Sequence, residues 1–182
     1  MLFIIITSIK DSIIEIASKM PKEIGTIFIS MLPIFELRGG IPVAYYTFKL
    51  PFYKSVLYSV IGNIIPVLPL LFIIEPLSKI GFFKRFFESR RDKGKVIEKY
   101  KEIGLSIFVG IPLPLTGAWT GCILAFLFNL SIWKSFIFIT IGIFIAAIIV
   151  SSFTLMGLWG AILAGTIIIV SLIFPLFKKK SQ

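Results

Sequence analysis

An apolar block running from Ile24 to Phe48 carries at its centre Pro33-Ile34-Phe35-Glu36-Leu37-Arg38-Gly39-Gly40-Ile41-Pro42. A straight helix does not tolerate that load. Each proline in a helix interior costs about 3 kcal/mol, and each charge at the centre of a lipid-embedded helix costs about 2.5–3.5 kcal/mol on insertion scales. Two half-helices that enter and leave on one side, with a broken tip lining a polar cavity, carry all of these residues without conflict. The block 24–48 is therefore expected to be a re-entrant hairpin.

Composition identifies lipid as the solvent. Hydrophobic residues make up 57% of the 182 positions, charged residues 15%, and the mean hydropathy is +1.00. A soluble domain is about a quarter charged, and a fold this small leaves too much of its chain exposed to hide so much apolar surface. The net charge of +10 could mean nucleic acid, but nine of the 19 basic residues lie between Lys79 and Lys101, and Lys178, Lys179 and Lys180 close the chain. Basic clusters flanking apolar spans follow the positive-inside rule. A multi-pass protein of the cell membrane is expected, with membrane lipids as its partners and no nucleic acid.

Further apolar blocks occupy 55–74, 103–128, 135–153 and 157–177. Three of the five blocks read as ordinary transmembrane helices. The block 103–128 repeats the design of the first, with Gly110-Ile111-Pro112-Leu113-Pro114-Leu115-Thr116-Gly117-Ala118-Trp119-Thr120-Gly121 at its centre. A proline-kinked single span is the other reading. Sliding the chain by 80 residues favours the hairpin: Ile27-Phe28 falls on Ile107-Phe108, Phe48 on Phe128, Lys54-Ser55 on Lys134-Ser135 and Ile61-Gly62 on Ile141-Gly142, without a gap. With 76–102 in the cytoplasm, the first hairpin enters from outside and the second from inside, and the lysine tail ends in the cytoplasm. The fold class expected is thus an all-α integral membrane protein. It is built as an inverted repeat of re-entrant hairpin plus transmembrane helix, with an extra C-terminal transmembrane helix, all in one membrane domain.

Residues 1–20 lack a small-residue cleavage site. Ile13, Ile14, Ile16 and Ala17 gather near one helical face away from Lys10, Asp11, Glu15 and Lys19, so an amphipathic interfacial helix is expected. Phenylalanines interleaved with basic residues over 79–101 suit anionic lipid headgroups. Small residues at helical spacing, Gly157, Ala161 and Gly165, permit close packing within the chain or in a homodimer. Cys122 stands alone and histidine is absent. No disulfide, metal site or cofactor is expected, and neither is an enzyme, because the usual general base and nucleophile pairings are missing.

The candidate substrate-binding residues follow from the two broken centres. Arg38 would receive an anionic group, and Glu36 would take and release a proton, because burial and a neighbouring guanidinium act on a carboxyl in opposite directions. Residues two apart do not face each other on a helix, so the pair needs an irregular tip. Gly39 and Gly40 would let backbone amides approach a ligand. Pro112, Thr116, Gly117, Trp119 and Thr120 would offer a half-helix N-terminus from the second hairpin. Asn63 is a polar midspan residue that would face the cavity, and Pro66 and Pro69 should kink its helix.

At Pro33–Pro42 and Gly110–Gly121 the chain resembles the small multidrug export proteins, a branch of the DedA-like (VTT-domain) superfamily, over about residues 20–155. The resemblance implies two re-entrant hairpins with neighbouring spans and, from DedA-like relatives, movement of lipids such as polyprenyl phosphates across the bilayer. Such relatives carry arginines around the second hairpin, whereas 107–125 here has no basic residue. Arg38 would then be the only buried cation. The expected function is a transporter or flippase for an amphipathic anion, a lipid (polyprenyl) phosphate, with coupling to protons. Small multidrug export and a non-transporting scaffold or assembly factor are the alternatives.

Overall fold

The computed structural model describes residues 2–77, 100–113, 116–163, 165–166 and 169–170. The basic stretch 79–99 and the lysine tail lie outside the described residues. The described chain is all helical. Helices α1 (Leu2–Ser18), α2 (Lys22–Met31) and α3 (Glu36–Pro42) lead into a π-helical turn at Val43–Thr47. Helices α4 (Phe52–Ile64), α5 (Val67–Leu77), α6 (Lys101–Gly110), α7 (Ala118–Leu127) and α8 (Ile132–Leu155) follow. Residues 158–163 are helical again beyond a turn at Gly157, whose φ of +59° suits a residue without a Cβ.

Both broken centres are breaks in the structure. Leu32–Phe35 separates α2 from α3, and Ile111–Gly117 separates α6 from α7. Pro42 is tolerated inside the short helix that follows the first break. A turn at Ile65 and Pro66 divides α4 from α5, where the two prolines withhold amides from the helical ladder. Among the described residues, two helices are long and apolar enough to cross a membrane, Phe52–Ile74 and Ile132–Leu155. The second has 24 residues and would reach about 36 Å at 1.5 Å per residue, against a hydrocarbon core of about 30 Å. Large apolar side chains such as Phe72 on the first and Phe144 and Ile148 on the second stand on their outer surfaces, where a protein in water would not gather them.

Helix α8 is the central post, packed on α3, α4, α5, α6 and α7. The main core joins Leu37, Ile41, Val67, Leu105, Ile139 and Ile143. A smaller one sets Ala17 of α1 against Ile29, Phe35 and Phe48. Helix α1 presents Ile13, Ile14 and Ala17 inward, but Ile16 is 51% exposed rather than on the packed face. The reason is a close crossing: a Cβ on Gly25 would collide with the backbone of Ala17, so the helix is rolled to place Ala17 there.

The two halves repeat local geometry, but not in one register. Past the breaks the offset is 80: Lys49 and Asn129 both have positive φ (54° and 57°), and Ser55 and Ser135 each donate to the carbonyl four residues back. Before the breaks it is 79. A Cβ on Gly62 would meet Ile27 O and Ser30, whereas one on Gly142 would meet Ser106 O and Val109. The ion pairs Lys54–Glu23 and Lys134–Glu102 follow the same register. The gap-free sequence alignment of Ile27-Phe28 on Ile107-Phe108 is therefore one residue out. Just past the breaks the offset is 81, since Gly40 sits against Ser30 and Ser59 as Gly121 sits against Val109 and Ile139. The π-turn absorbs the residue that brings 81 back to 80: Phe48 N–H bonds Val43 O, five residues back, whereas Phe128 N–H bonds Leu124 O, four back.

Candidate functional site

A broken helix leaves amides and carbonyls without intrahelical partners, and in an apolar setting each must find another. Here the two breaks satisfy each other. Glu36, only 6% exposed and held at a φ of +48°, directs its carboxylate to the N-terminus of α7, where it accepts from the backbone amides of Ala118 and Trp119. The carboxylate occupies the place a Cβ on Gly117 would need. Negative charge at a helix N-terminus is also the favourable sign for the helix dipole.

Arg38 serves the opposite end. Its guanidinium donates to Leu113 O, to Thr116 Oγ1 (3.1 Å) and, at the limit of 3.5 Å, to Ile111 O, just beyond the C-terminus of α6. Its distance to Glu36 Oε2 is 3.9 Å, too long for a hydrogen bond. The two charges thus attract, yet each is anchored on the other half of the molecule. Thr116 organises the second break: Oγ1 also accepts from Leu113 N–H (3.2 Å) and stands 2.6 Å from Ile111 O, to which it donates.

Trp119 reciprocates. Its Nε1–H donates to Met31 O (3.1 Å), the carbonyl that ends α2. Under the offset of 81, Arg38 and Trp119 occupy corresponding places, and each crosses to the carbonyl end of the other half's first half-helix.

Next to this junction lies a cavity of about 220 Å³. Its lining includes Arg38, Pro42, Tyr46, Pro112, Phe153 and Thr154, together with small residues at 157–161. Arg38 is the only charged residue among the described ones that line it. The Tyr46 hydroxyl donates to Thr154 O at the end of α8, joining the π-turn to the far wall. Gly160 brings 158–163 against the backbone of Phe153, closing the cavity on that side.

Among the sequence candidates, the structure brings together Glu36, Arg38, Pro112, Thr116, Gly117 and Trp119. Thr120 turns back to donate to Gly117 O (3.1 Å), and a Cβ on Gly39 would meet the Phe35 ring. Gly40 faces Ser30 and Ser59, and Asn63 is 2% exposed on α4, so neither lines the cavity. Sequence reasoning missed Tyr46, Phe153 and Thr154, although the glycines at 157 and 160 signalled a break and a close approach there. No cluster of His, Cys, Asp and Glu among the described residues could hold a metal.

The family model described as "Putative small multi-drug export protein" matches residues 36–149, beginning at Glu36 just past the first break and spanning the second. No curated protein and no solved structure matches the chain.

Proposed function

The chain belongs to the small multi-drug export protein family, a membrane export family, and on that premise we propose that it transports an amphipathic anion. One observation carries the reading: among the described residues, Arg38 is the sole charge facing an otherwise largely apolar cavity beside the junction of the two breaks. Such a cavity suits an acidic headgroup on the guanidinium with the start of an apolar chain against Pro42, Phe153 and Ala161. Its volume accommodates a headgroup and the first carbons, not a whole lipid, so a long chain would trail into the bilayer. A lipid phosphate, such as a polyprenyl phosphate, is the substrate of choice.

In this reading the breaks are the tips of two re-entrant hairpins, related as an inverted repeat in a multi-pass protein of the cell membrane, and the kinship extends to the DedA-like superfamily. The reciprocal capping by Arg38 and Trp119 supports the two-fold relation. Glu36 couples movement to protons: its carboxylate is bound to the α7 amides in one state and free of them in another. The chain works as a transporter and not as an enzyme, and its basic stretch 79–101 contacts anionic headgroups.

Export of cationic compounds is the alternative that the family's description favours, with Glu36 as counter-ion. The orientation of Glu36 speaks against it, because the carboxylate is taken up by Ala118 and Trp119 and does not line the cavity. The test is transport in proteoliposomes of a labelled polyprenyl phosphate and of a cationic dye, for wild type, Arg38→Ala and Glu36→Gln at two pH values. Anion movement abolished by Arg38→Ala, with a pH dependence lost in Glu36→Gln, is the expected result. Dye movement without anion movement would overturn it in favour of cation export. Neither movement by folded protein would favour a scaffold.

A further inference from the structure

Two ion pairs stand at corresponding places in the two halves. Lys54 at the start of α4 pairs with Glu23 at the start of α2 (3.6 Å), and Lys134 at the start of α8 pairs with Glu102 at the start of α6 (2.7 Å). Each lysine follows a large exposed aromatic residue: Tyr53 is 67% exposed and Trp133 is 66%. An aromatic ring beside a lysine at the end of an apolar helix suits a membrane–water boundary, where the apolar body of the ring and its polar tip each find their own solvent.

Helix α8 relates the two places to each other. It starts at the Lys134–Glu102 pair and runs beside α6 in the same direction, with Ser106 Oγ donating to Phe138 O and Gly110 packed on Ile145. Its far end meets the first half instead. Tyr46 in the π-turn donates to Thr154 O, and Phe48, two residues on, lies against the Cβ position of Gly25 near the start of α2. The Lys54–Glu23 pair thus belongs to the C-terminal end of α8, and the Lys134–Glu102 pair to its N-terminal end. From Lys134 to Thr154 the helix rises about 30 Å at 1.5 Å per residue, the thickness of a hydrocarbon core. Residues 135–155 carry no charge, and Ile137, Ile141, Phe144 and Ile148 form an exposed apolar stripe along them.

We infer that Tyr53–Lys54 and Trp133–Lys134 dock on the headgroup layers of opposite bilayer faces, and that the cavity beside Arg38 is entered from the Tyr53 face. The second part follows from the first. Helix α8 lines the cavity only through Val150, Phe153 and Thr154 near its end, with Tyr46 beside them. Among the described residues, none near the Lys134–Glu102 pair lines it. Arg38 lies deeper: its acceptor Leu113 follows Gly110, which rests on Ile145, roughly 14 Å from Thr154 along α8. An anion would descend from the headgroup layer to the guanidinium. The inference rests on the transport reading and on the two breaks being hairpin tips, and it adds the face that loads the site.

The test reads side and depth, not transport. Tyr53→Cys, Trp133→Cys and Thr154→Cys are each made in the full chain with the buried Cys122 replaced by alanine. They are labelled by a membrane-impermeant maleimide in intact cells and in inverted vesicles. Tyr53→Cys and Trp133→Cys should each react in one preparation only, in opposite senses, and Thr154→Cys in the same preparation as Tyr53→Cys. Ala161→Cys, on the facing wall, replaces Thr154→Cys if that variant does not fold. Nitroxides on Tyr53→Cys and Trp133→Cys should lie at headgroup depth, and one on Phe144→Cys near the hydrocarbon centre, read from oxygen against nickel-chelate accessibility. Labelling of Tyr53→Cys and Trp133→Cys from one side, or either nitroxide deep in hydrocarbon, would overturn the docking. A cavity cysteine that reacts from the Trp133 face, or from neither, would overturn the entry. Anion transport can fail without altering any of these readings, so the two failures are told apart.

Discussion

The carboxylate of Glu36 lies where a Cβ on Gly117 would have to go. These two residues correspond under the same offset of 81 that relates Arg38 to Trp119, so the two halves meet face to face at this point. A glycine on one side leaves room for an acid on the other, and the acid caps the helix that the glycine opens.

Gly117→Ala would push the carboxylate off the amides of Ala118 and Trp119. Overpacking of this kind costs about 1–3 kcal/mol, and here it also removes a cap. A lowered thermal midpoint in detergent is expected, with transport lost. Gly104→Ala is the control: no described residue lies within 4 Å of its Cβ position, and alanine in a helix should be neutral or stabilising by up to about 1 kcal/mol.

Trp119→Phe keeps a ring of similar bulk and removes the donor to Met31 O. The expected loss is about 0.5–1.5 kcal/mol, read from denaturation in detergent. Faster hydrogen exchange should appear at the end of α2, more than 80 residues away in sequence. An effect confined to α7 would contradict the cross-capping.

Arg38→Lys retains the charge and loses the planar fork that reaches Leu113 O and Thr116 Oγ1 together. Losing one hydrogen bond to a charged group costs about 1.5–3 kcal/mol. Anion transport should fall without vanishing, whereas Arg38→Ala should abolish it. Equal activities of the two variants would show that the charge itself is dispensable.

Lys49 and Asn129 share a left-handed backbone at the same place in the two halves. A non-glycine residue pays roughly 1–2 kcal/mol there, and asparagine less. Lys49→Gly should therefore raise the thermal midpoint, and Asn129→Gly should change it much less.

Deleting Tyr45 would convert the π-turn to the α-helical register of the second half. The chain should still fold, because α7 already runs through that geometry without the extra residue. Transport should fall, since Tyr46 would no longer reach Thr154 O at the cavity wall. A variant with full activity would show the π-turn to be unrelated to the site.

The breaks at Leu32–Phe35 and Ile111–Gly117, the helical class and the membrane-length helices were determined by the sequence alone. Proline, glycine and charge carry penalties that act locally, so their clustering in apolar blocks marks a broken helix whatever the rest of the chain does. The repeat was legible for a similar reason: Lys54-Ser55 and Lys134-Ser135 start corresponding helices with their own short-range bonds. Its register was not legible, because an added residue in a π-turn or a break leaves no trace in composition. Nor could the sequence say that Glu36 and Arg38 are held chiefly by the other half. Their partners are backbone amides and carbonyls, which every residue possesses, and only the packing of the two halves decides which of them come within reach. The cavity is a tertiary product too, since Tyr46, Phe153 and Thr154 become neighbours of Arg38 only when α8 stands against α3.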